Sequence, residues 1–482
     1  MTRSTENRQL EDVRHSQQQS SSQPNNLDPT NTINVAAVEE GQSSVEPPPD
    51  GGYGWVCAGA ASVINAHSWG FNSAYAVFLA HYLSNDIFPG ATPRDYAFVG
   101  GISLTFLLLV SPIATIAVRE IGIRPTMFCG VVCETASLLC ASLASKVWHL
   151  FLTQGVLFGM GLGLLFIPTA AVVPQWFAKK RSLASGIAVS GAGLGGAVYS
   201  LAAAAIIRNL SLEYAFRILG ILAFVINTTC VILIKDRNKA IGSDQEAFKI
   251  SLFKRGEYLL LIGFSAFTML GYFVLVFSLA NYASEMGLSP SQGALIPALF
   301  NIGQAIGRPI VGYFSDTVGR MNMAASTALL SAILVFAAWI PSKANGPLIF
   351  FAISGGLAAG SFWATIAPLM AEVVGLQGVP SGLNLMWLSL ILPSTFSEPI
   401  ALEIFNGTGS YLGTQVFVGV VYFAAAVCMI LLRGWKICQV EVGARNLVHT
   451  EGTGQDGSIT RNRRDPPRSG VSLRACLKWA NV

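Results

Sequence analysis

The sequence predicts an all-α membrane protein of twelve transmembrane helices arranged in two six-helix halves. Between Gly54 and Arg433 the chain contains twelve apolar stretches of roughly 20 residues, the length that crosses a bilayer as a helix. Lipid offers the backbone no hydrogen-bond partners, so each stretch is expected to be a helix rather than a strand. The composition agrees. Of the 482 residues 52% are hydrophobic and only 12% are charged, about half the charged fraction of a typical soluble domain.

The predicted spans follow one another through short connections, except for a longer basic loop in the middle of the chain. That loop, residues 235–257, separates an N-terminal half at 53–234 from a C-terminal half at 258–433. Residues 1–52 lack the apolar content to fold and are predicted to form a disordered cytoplasmic tail. Residues 434–482 are predicted to form a flexible basic tail, with a solvated state favoured over binding to anionic lipid. The predicted spans are 55–83, 96–118, 124–144, 148–173, 184–207, 214–234, 258–283, 291–314, 323–340, 347–372, 381–404 and 411–433.

The distribution of basic residues predicts that both termini are cytoplasmic. With this orientation the inner loops carry twelve Lys and Arg residues and the outer loops five, which agrees with the positive-inside rule. The sequons at Asn209 and Asn406 then fall in outer loops, so both are candidate glycosylation sites. A third sequon, at Asn227, lies inside a span where glycosylation cannot reach it. The predicted location is the plasma membrane, with lipid as the surrounding partner.

Several functional classes have no signal in the sequence. No basic stripe with interleaved aromatic residues predicts nucleic-acid binding, and the eight cysteines include no C-x-x-C pair that would indicate a metal site. Residues 191–196 match a dinucleotide-binding glycine pattern, but they lie in an apolar helix without a preceding strand, so close helix packing is the better interpretation. We predict no cofactor, no metal and no enzymatic activity, and the oligomeric state stays open.

Two motifs that open helices in the N-terminal half carry a family resemblance. Residues 50–55 are Asp-Gly-Gly-Tyr-Gly-Trp, and residues 176–186 are Trp-Phe-Ala-Lys-Lys-Arg-Ser-Leu-Ala-Ser-Gly. Together they resemble the paired signatures of the monocarboxylate porter family within the major facilitator superfamily. Residues 392–402 resemble its fungal branch, and residues 312–320 resemble the loop motif of the superfamily. By its residue types alone, the first motif indicates an anchor in the headgroup layer.

The resemblance implies the major facilitator fold and secondary transport of small organic acids or related metabolites, often together with a proton. It also shows where this chain differs from the animal monocarboxylate carriers. Their first-helix lysine corresponds to Ser73, and their acidic residue one turn before the eighth-helix arginine corresponds to Gln304. Their phenylalanine linked to substrate size corresponds to Ala367. Only Arg308 remains of the charged trio, which predicts a larger or less charged cargo.

Polar residues inside the spans mark the candidate substrate site, because each is costly in lipid. Three of them recur at i, i+3 and i+7 on one face of the eighth span. On the first span, Asn65, Trp69 and Asn72 form a similar stripe, with Ser73 at its edge. Arg308 is the only Arg or Lys well inside a span, and its planar guanidinium suits a carboxylate or a polarised carbonyl. The alternative is a structural arginine that backbone carbonyls satisfy near the inner surface. The candidate substrate-binding residues are Arg308, Gln304, Asn301, Asn65, Asn72 and Ser73.

A second group of charged residues predicts a conformational latch on the inner side. Asp316, at the inner end of the eighth span, is placed to pair with the cations before the fifth helix and with the positive end of that helix dipole. Ser182 is the predicted N-cap of the fifth helix. In the first half, Arg119 stands at the position where the superfamily's loop motif has Asp. We therefore expect an asymmetric latch. The latch candidates are Asp316, Arg320, Lys179, Lys180 and Arg181.

Proton coupling would need a titratable carrier, and three candidates lie in the predicted spans. They are Glu134 on the third span, His67 on the first and Glu398 toward the outer end of the eleventh. The alternative for Glu134 is a structural bond to a neighbouring helix, and for His67 a packing role on the side of its helix opposite Asn65. Glu398 and Arg308 differ in depth by roughly 15 Å, so we expect no direct pair.

The predicted function is secondary active transport by alternating access, with a small organic acid or a secondary metabolite as cargo and protons as a possible second partner. Uptake of a nutrient and export of a self-made metabolite both remain open. A non-transporting nutrient receptor on the same fold is the alternative from another class. Such a receptor would need long signalling tails, whereas these tails are short.

Overall fold

The structure, a computed structural model, is built from helices throughout the part of the chain that it describes. It describes residues 47–85, 87–243 and 245–452, apart from the side chains of 83–84, 93–94, 97, 290–291 and 442–452. Within these residues eleven helices are long and apolar enough to cross a membrane. The first predicted span is helical as well, but polar residues such as Asn65 and His67 lower its hydropathy.

We number the helices α1 to α12 in chain order, and several of them contain a break. The N-terminal half comprises α1 (Tyr53–Ser73 and Tyr75–Ser84), α2 (Pro93–Leu109 and Ser111–Glu120), α3 (Ile123–Ala141), α4 (Val147–Gln175), α5 (Arg181–Asn209) and α6 (Leu212–Leu233). The C-terminal half comprises α7 (Gly256–Glu285), α8 (Pro290–Val318), α9 (Arg320–Trp339), α10 (Asn345–Ala359 and Ser361–Val374), α11 (Val379–Ser389 and Ile391–Thr408) and α12 (Tyr411–Gly452). Because the connections are short, successive helices run in opposite directions. The side on which α1 begins is called the inner side below.

The largest difference from the predicted boundaries is at the end of the chain. The last helix continues to Gly452, so the predicted start of the C-terminal tail at residue 434 falls inside α12. Residues 1–46 and 453–482, which hold most of the two predicted tails, lie outside the described residues. The connection between the halves contains only short helical turns, at Asn238–Ile241 and Ile250–Lys254.

Two helices that start on the outer side have a side-chain cap at their N-terminus. At α2, Thr92 accepts a hydrogen bond from the backbone of Asp95, whose carboxylate accepts from the backbone of Thr92 in return. At α8, Ser289 and Gln292 make the same reciprocal pair. Each pair satisfies amide groups that the first helical turn leaves without partners, and each is followed by a proline at the first helical position.

Glycines allow α5 to pack closely against one helix of each half. A Cβ atom at Gly191 would lie 1.8 Å from the carbonyl oxygen of Ser62 on α1, and one at Gly186 would lie 2.4 Å from the carbonyl oxygen of Arg308 on α8. Neither position has room for a side chain. The predicted packing role of this glycine run is therefore what the geometry shows, and α5 joins the two halves through backbone contact.

The outward faces of the helices carry apolar side chains. On α5, Leu194, Val198 and Leu201 are all more than half exposed, and they recur at the spacing of one helical face. Such a large exposed apolar surface is stable only in contact with lipid or another apolar partner. This pattern is typical of an integral membrane protein.

Candidate transport site

A small cavity of about 40 Å³, lined by polar and aromatic side chains, lies between the two halves. Of the six predicted substrate-binding residues, five line it and one does not. The lining residues are Asn65, Trp69, Ser73, Phe166, Val189, Ala192, Gly193, Tyr272, Asn301, Gln304, Arg308 and Trp363. Residues of both halves are therefore needed to form its wall. Arg308 is the only charged residue among them.

The buried guanidinium of Arg308 joins three helices. Its Nη1 atom donates to the carbonyl oxygen of Val189 on α5 at 2.6 Å, and its Nε atom donates to the carbonyl oxygen of Gly360 at 3.3 Å. Gly360 stands at the break in α10, where the helix leaves carbonyl groups free to accept. Nη2 donates to Oε1 of Gln304 at 2.6 Å. These bonds use three of the five N–H groups of the guanidinium.

Gln304 connects Arg308 to two further polar side chains. Its Oε1 atom also accepts from the hydroxyl of Tyr272 on α7 at 2.8 Å, and its Nε2 atom donates to Oδ1 of Asn301 at 3.2 Å. The polar face predicted for α8 is thus a connected network on the cavity wall. No acidic residue lines the cavity in the part of the chain that the structure describes, so the wall carries net positive charge.

On α1 the structure separates two residues that the sequence analysis had grouped. Asn65 and Ser73 line the central cavity, where Asn65 donates to the carbonyls of Ala61 and Ala188 at 2.9 Å and Ser73 donates to Trp69 at 3.0 Å. Asn72 instead lines a smaller cavity between α1, α2 and α4. The cavity-facing positions on α1 recur every four residues, which turns the side chain at 72 away from them.

Aromatic rings form much of the apolar part of the wall. Trp69 belongs to the stripe predicted on the first span, whereas the sequence analysis did not assign Phe166 or Trp363 to the site. Trp69 on α1 lies 5.4 Å from Trp363 on α10 and 5.6 Å from Phe166 on α4 between ring centroids. Trp363 also stacks on Trp387 of α11 at 6.0 Å. These rings come from four helices, two in each half. Aromatic residues inside the spans were the available signal, but their spacing along the chain does not show that they converge.

Asp316 contacts the start of α5 through backbone amides, where the sequence analysis expected the cations before that helix together with the positive end of its dipole. Both carboxylate oxygens of Asp316 accept from backbone amides at the start of α5, from Ser182 at 3.0 Å and from Leu183 at 2.9 Å. The predicted N-cap role of Ser182 was therefore wrong, because Asp316 on α8 caps α5 from the other half. Helix N-termini favour such a negative charge. The side chains of Lys179 and Lys180 are exposed.

Arg320 extends the latch to two more elements. It pairs with Asp316 at 3.3 Å and with Glu372 at the inner end of α10 at 2.9 Å, and it donates to the carbonyl of Ala178 at 2.7 Å. Glu372 was missed because 52 residues separate it from Arg320 in the chain. Arg181 donates to the carbonyl of Phe177 at 2.9 Å, within the same connection.

The motif at residues 50–55 contacts the connection between α4 and α5 from another side. Oδ1 of Asp50 accepts from the backbone amides of Ala178 at 2.6 Å and Lys179 at 2.8 Å. The hydroxyl of Tyr53 donates to the carbonyl of Leu233 at the end of α6. The motif therefore ties the starts of α1 and α5 and the end of α6 together on the inner side, which a simple headgroup anchor would not require.

The three candidate proton carriers lie in separate places. Oε2 of Glu134 accepts from Ser68 on α1 and from Asn227 on α6. His67 is 2.5 Å from the hydroxyl of Tyr199 on α5. Glu398 lies in the other half, on α11. Its carboxylate accepts from Ser278 on α7 at 3.3 Å.

Both candidate glycosylation residues are exposed at outer ends of helices. Asn209 is the last residue of α5, and Asn406 lies in the last turn of α11. The predicted outer loops at these positions are therefore shorter than expected, since each sequon begins within a helix. Asn227 is fully buried.

Comparison with known proteins assigns the fold. The sequence matches the family described as the Major Facilitator Superfamily over residues 58–392 and 259–441. The chain belongs to this superfamily. The predicted fold class is thereby confirmed, and so is the expectation that the protein is a transporter and not an enzyme.

The chain is similar to named superfamily members across most of its length. It is 35% identical over 406 residues to the probable transporter MCH2 of Saccharomyces cerevisiae, which covers 82% of this chain and 86% of that protein. It is 26% identical to the aspyridones efflux protein apdF of Emericella nidulans, covering 77% of this chain and 76% of that protein. In fold it is similar to the proton:xylose symporter XylE, with a TM-score of 0.60 and 13% identity over 80% of this chain and 95% of that one.

Proposed function

We propose that this superfamily transporter moves organic monocarboxylates with an apolar or aromatic body by alternating access. The observation that carries the proposal is the cavity wall around Arg308, which holds one cation and no acidic residue among the described residues. A single carboxylate would neutralise it. The two N–H groups of Arg308 outside the three hydrogen bonds supply donors for such a group.

The aromatic rings support the second part of the proposal, the apolar body of the cargo. Trp69, Phe166 and Trp363 face the same cavity as Arg308, so an anion bound at the guanidinium would have its remaining atoms beside these rings. Aromatic walls stabilise planar or apolar groups through burial and ring contacts. A small hydrophilic acid would leave that surface without a partner.

The latch supports the alternating-access part. Asp316 and Arg320 belong to the C-terminal half and contact the start of α5 in the N-terminal half. For the cavity to open on the inner side, these contacts must break. A contact that is present in only one of the two states shifts the equilibrium between them. A gate in a transport cycle needs this property.

Membership in the monocarboxylate porter group, cytoplasmic termini and residence in the plasma membrane belong to the same proposal. The two signature motifs support the first, and the charge distribution supports the second. The similarity to an efflux protein supports export of a metabolite as one direction. Net direction then follows from the gradients across the membrane.

The test uses purified protein in liposomes. Labelled benzoate and labelled lactate would be offered at equal concentration, with benzyl alcohol as a neutral competitor that lacks the carboxylate. We expect saturable flux of benzoate, slower flux of lactate, and no competition by benzyl alcohol. Binding without flux would favour the receptor alternative, and equal competition by the alcohol would contradict the role of the carboxylate.

A further inference from the structure

A buried carboxyl group lies in the N-terminal half, away from the central cavity. Glu134, in the middle of α3, is 1% exposed. Its Oε2 atom accepts from the hydroxyl of Ser68 on α1 at 3.2 Å and from the amide of Asn227 on α6 at 3.0 Å. Gly161 of α4 packs against the backbone of Glu134, because a Cβ atom there would lie 2.6 Å from its amide nitrogen. Three neighbouring helices therefore enclose this one side chain.

The enclosure leaves polar atoms without partners. Oε1 of Glu134 has no hydrogen-bond partner, and the same holds for Oδ1 of Asn227 and for Oγ of Ser137 one turn further along α3. No salt bridge joins Glu134 to a cation in the described ranges. An ionised carboxylate in this position bears a desolvation cost that nothing nearby offsets. Addition of a proton removes the charge and gives the carboxyl group an O–H donor in a place where Oε1 of Glu134 and Oδ1 of Asn227 are otherwise acceptors only.

The site is connected to the cargo cavity through α1. Ser68, which bonds to Glu134, directly precedes Trp69, and Trp69 lines the cavity. The titratable groups that face this region from the other packed helices are His67 on α1 and Tyr199 on α5, which contact each other at 2.5 Å. Tyr199 lies within electrostatic range of Glu134. A change of charge at Glu134 thus acts on the helix that contributes Asn65, Trp69 and Ser73 to the cavity wall.

We infer that Glu134 is the binding site of the coupled proton, and this inference rests on the proposed transport function. The proton adds to the carboxylate and forms an O–H bond, no other covalent bond changes, and the proton returns to water on the opposite side when the transporter has changed state. With Glu134 ionised, the hydrogen bond from Ser68 is charge-assisted and holds α1 to α3. With Glu134 neutral, that bond weakens and α1 is released, so proton binding biases the equilibrium between states.

The first experiment needs no cargo. Infrared difference spectra of the purified protein in lipid, recorded between acidic and alkaline buffer, report the carbonyl stretch of protonated carboxyl groups in a dry environment. We expect such a band in the parent protein, its loss in Glu134→Gln, and its retention in Glu398→Gln, the matched control from the other half. A spectrum that is the same for the parent and Glu134→Gln would overturn the assignment. A band that responds to sodium chloride at constant pH would also overturn it, in favour of a cation site.

The second experiment measures coupling in liposomes loaded with the benzoate probe. A pH difference of one unit drives at most about tenfold accumulation for each coupled proton. Because neutral benzoic acid also enters liposomes unaided, the initial rate is measured and the rate in protein-free liposomes is subtracted. We expect a clear pH-driven rate for the parent and for Glu398→Gln, and a rate near zero for Glu134→Gln. Pumping retained in Glu134→Gln would refute the inference. If the parent moves no benzoate at all, the proposed cargo is wrong, while the infrared result still decides the role of Glu134.

Discussion

The two halves of the transporter present polar groups to the cavity in different ways. In the C-terminal half, Tyr272, Gln304, Asn301 and Arg308 form one connected network. In the N-terminal half, the cavity-lining polar side chain of Asn65 donates to backbone carbonyls of α1 and α5. Such bonds fix the side chain but leave little capacity for a ligand. We therefore expect the C-terminal half to bind the charged group of the proposed cargo.

The same difference recurs at the inner side. Asp316 and Arg320 are 7% and 13% exposed, and they contact the opposite half. The corresponding pair in the N-terminal half, Arg119 and Glu120, is 52% and 60% exposed, and its two members are adjacent in the chain and pair with each other. Exposed pairs of this kind contribute little free energy. We therefore expect gating at the inner side to depend on one latch rather than two, and Arg119 in place of the motif's Asp supports that expectation.

The largest expected effect is at Arg308. We expect Arg308→Ala to weaken binding of the benzoate probe about 100-fold, because charged hydrogen bonds contribute roughly 1.5–3 kcal/mol each in such sites. Arg308→Lys retains the charge but loses the planar fork, so most of the affinity should be lost as well. Isothermal titration of the purified variants measures both.

Arg433 provides the matched control, since it is a second buried arginine in the same half that bonds to an amide side chain, Asn322, and does not line the cavity. Arg433→Lys should lower thermal stability without changing probe affinity. If Arg308→Lys binds the probe as the parent does, or if Arg308→Ala fails only because it misfolds, the arginine is structural and the difference between the halves disappears.

The next effect concerns the latch. Asp316→Asn keeps the shape but removes the charge that caps α5, and caps contribute about 1 kcal/mol. We expect turnover in liposomes to slow about fivefold with probe affinity changed by less than about twofold, because the contact exists in one state only. Glu120→Gln, the counterpart in the other half, should transport like the parent. Equal slowing in both variants would mean that the halves gate symmetrically.

A smaller effect is expected from the aromatic wall. Trp363→Leu keeps an apolar side chain but removes the ring contacts with Trp69 and Trp387, and such contacts contribute about 0.5–1.5 kcal/mol. We expect affinity for benzoate to fall about threefold to tenfold and affinity for lactate to stay within about twofold. Competition assays with the two labelled acids measure the ratio. A parallel loss for both acids would show that the ring only supports the fold.

The sequence predicted features that lie within one helix better than contacts between helices. The polar face of α8 was predicted because Asn301, Gln304 and Arg308 share one helix and its period. Contacts between helices were not predictable in this way. Asp316 was expected beside the start of α5, but spacing along the chain did not show that it would accept from the backbone amides of Ser182 and Leu183 or that Glu372 would join Arg320. The placement of Asn72 failed for a related reason, because the choice between two cavities depends on how α2 and α4 pack against α1.

The smallest effect on transport is expected from changes at the two sequons. Their glycosylation also tests the orientation of both halves in the membrane. Asn209 ends α5 and Asn406 lies near the end of α11, so both are on the side opposite the start of α1. If that side is extracellular, as the basic inner loops predict, the parent protein should carry glycans and the double variant Asn209→Gln, Asn406→Gln should migrate faster on a gel. Transport should change by less than about twofold, since both side chains are exposed and remote from the cavity.

A second measurement tests the same orientation. Epitope tags placed at either terminus of the protein should remain inaccessible to antibody in intact cells until the cells are permeabilised. A tag that is stained without permeabilisation would reverse the orientation, and Asp316 would then close the extracellular side.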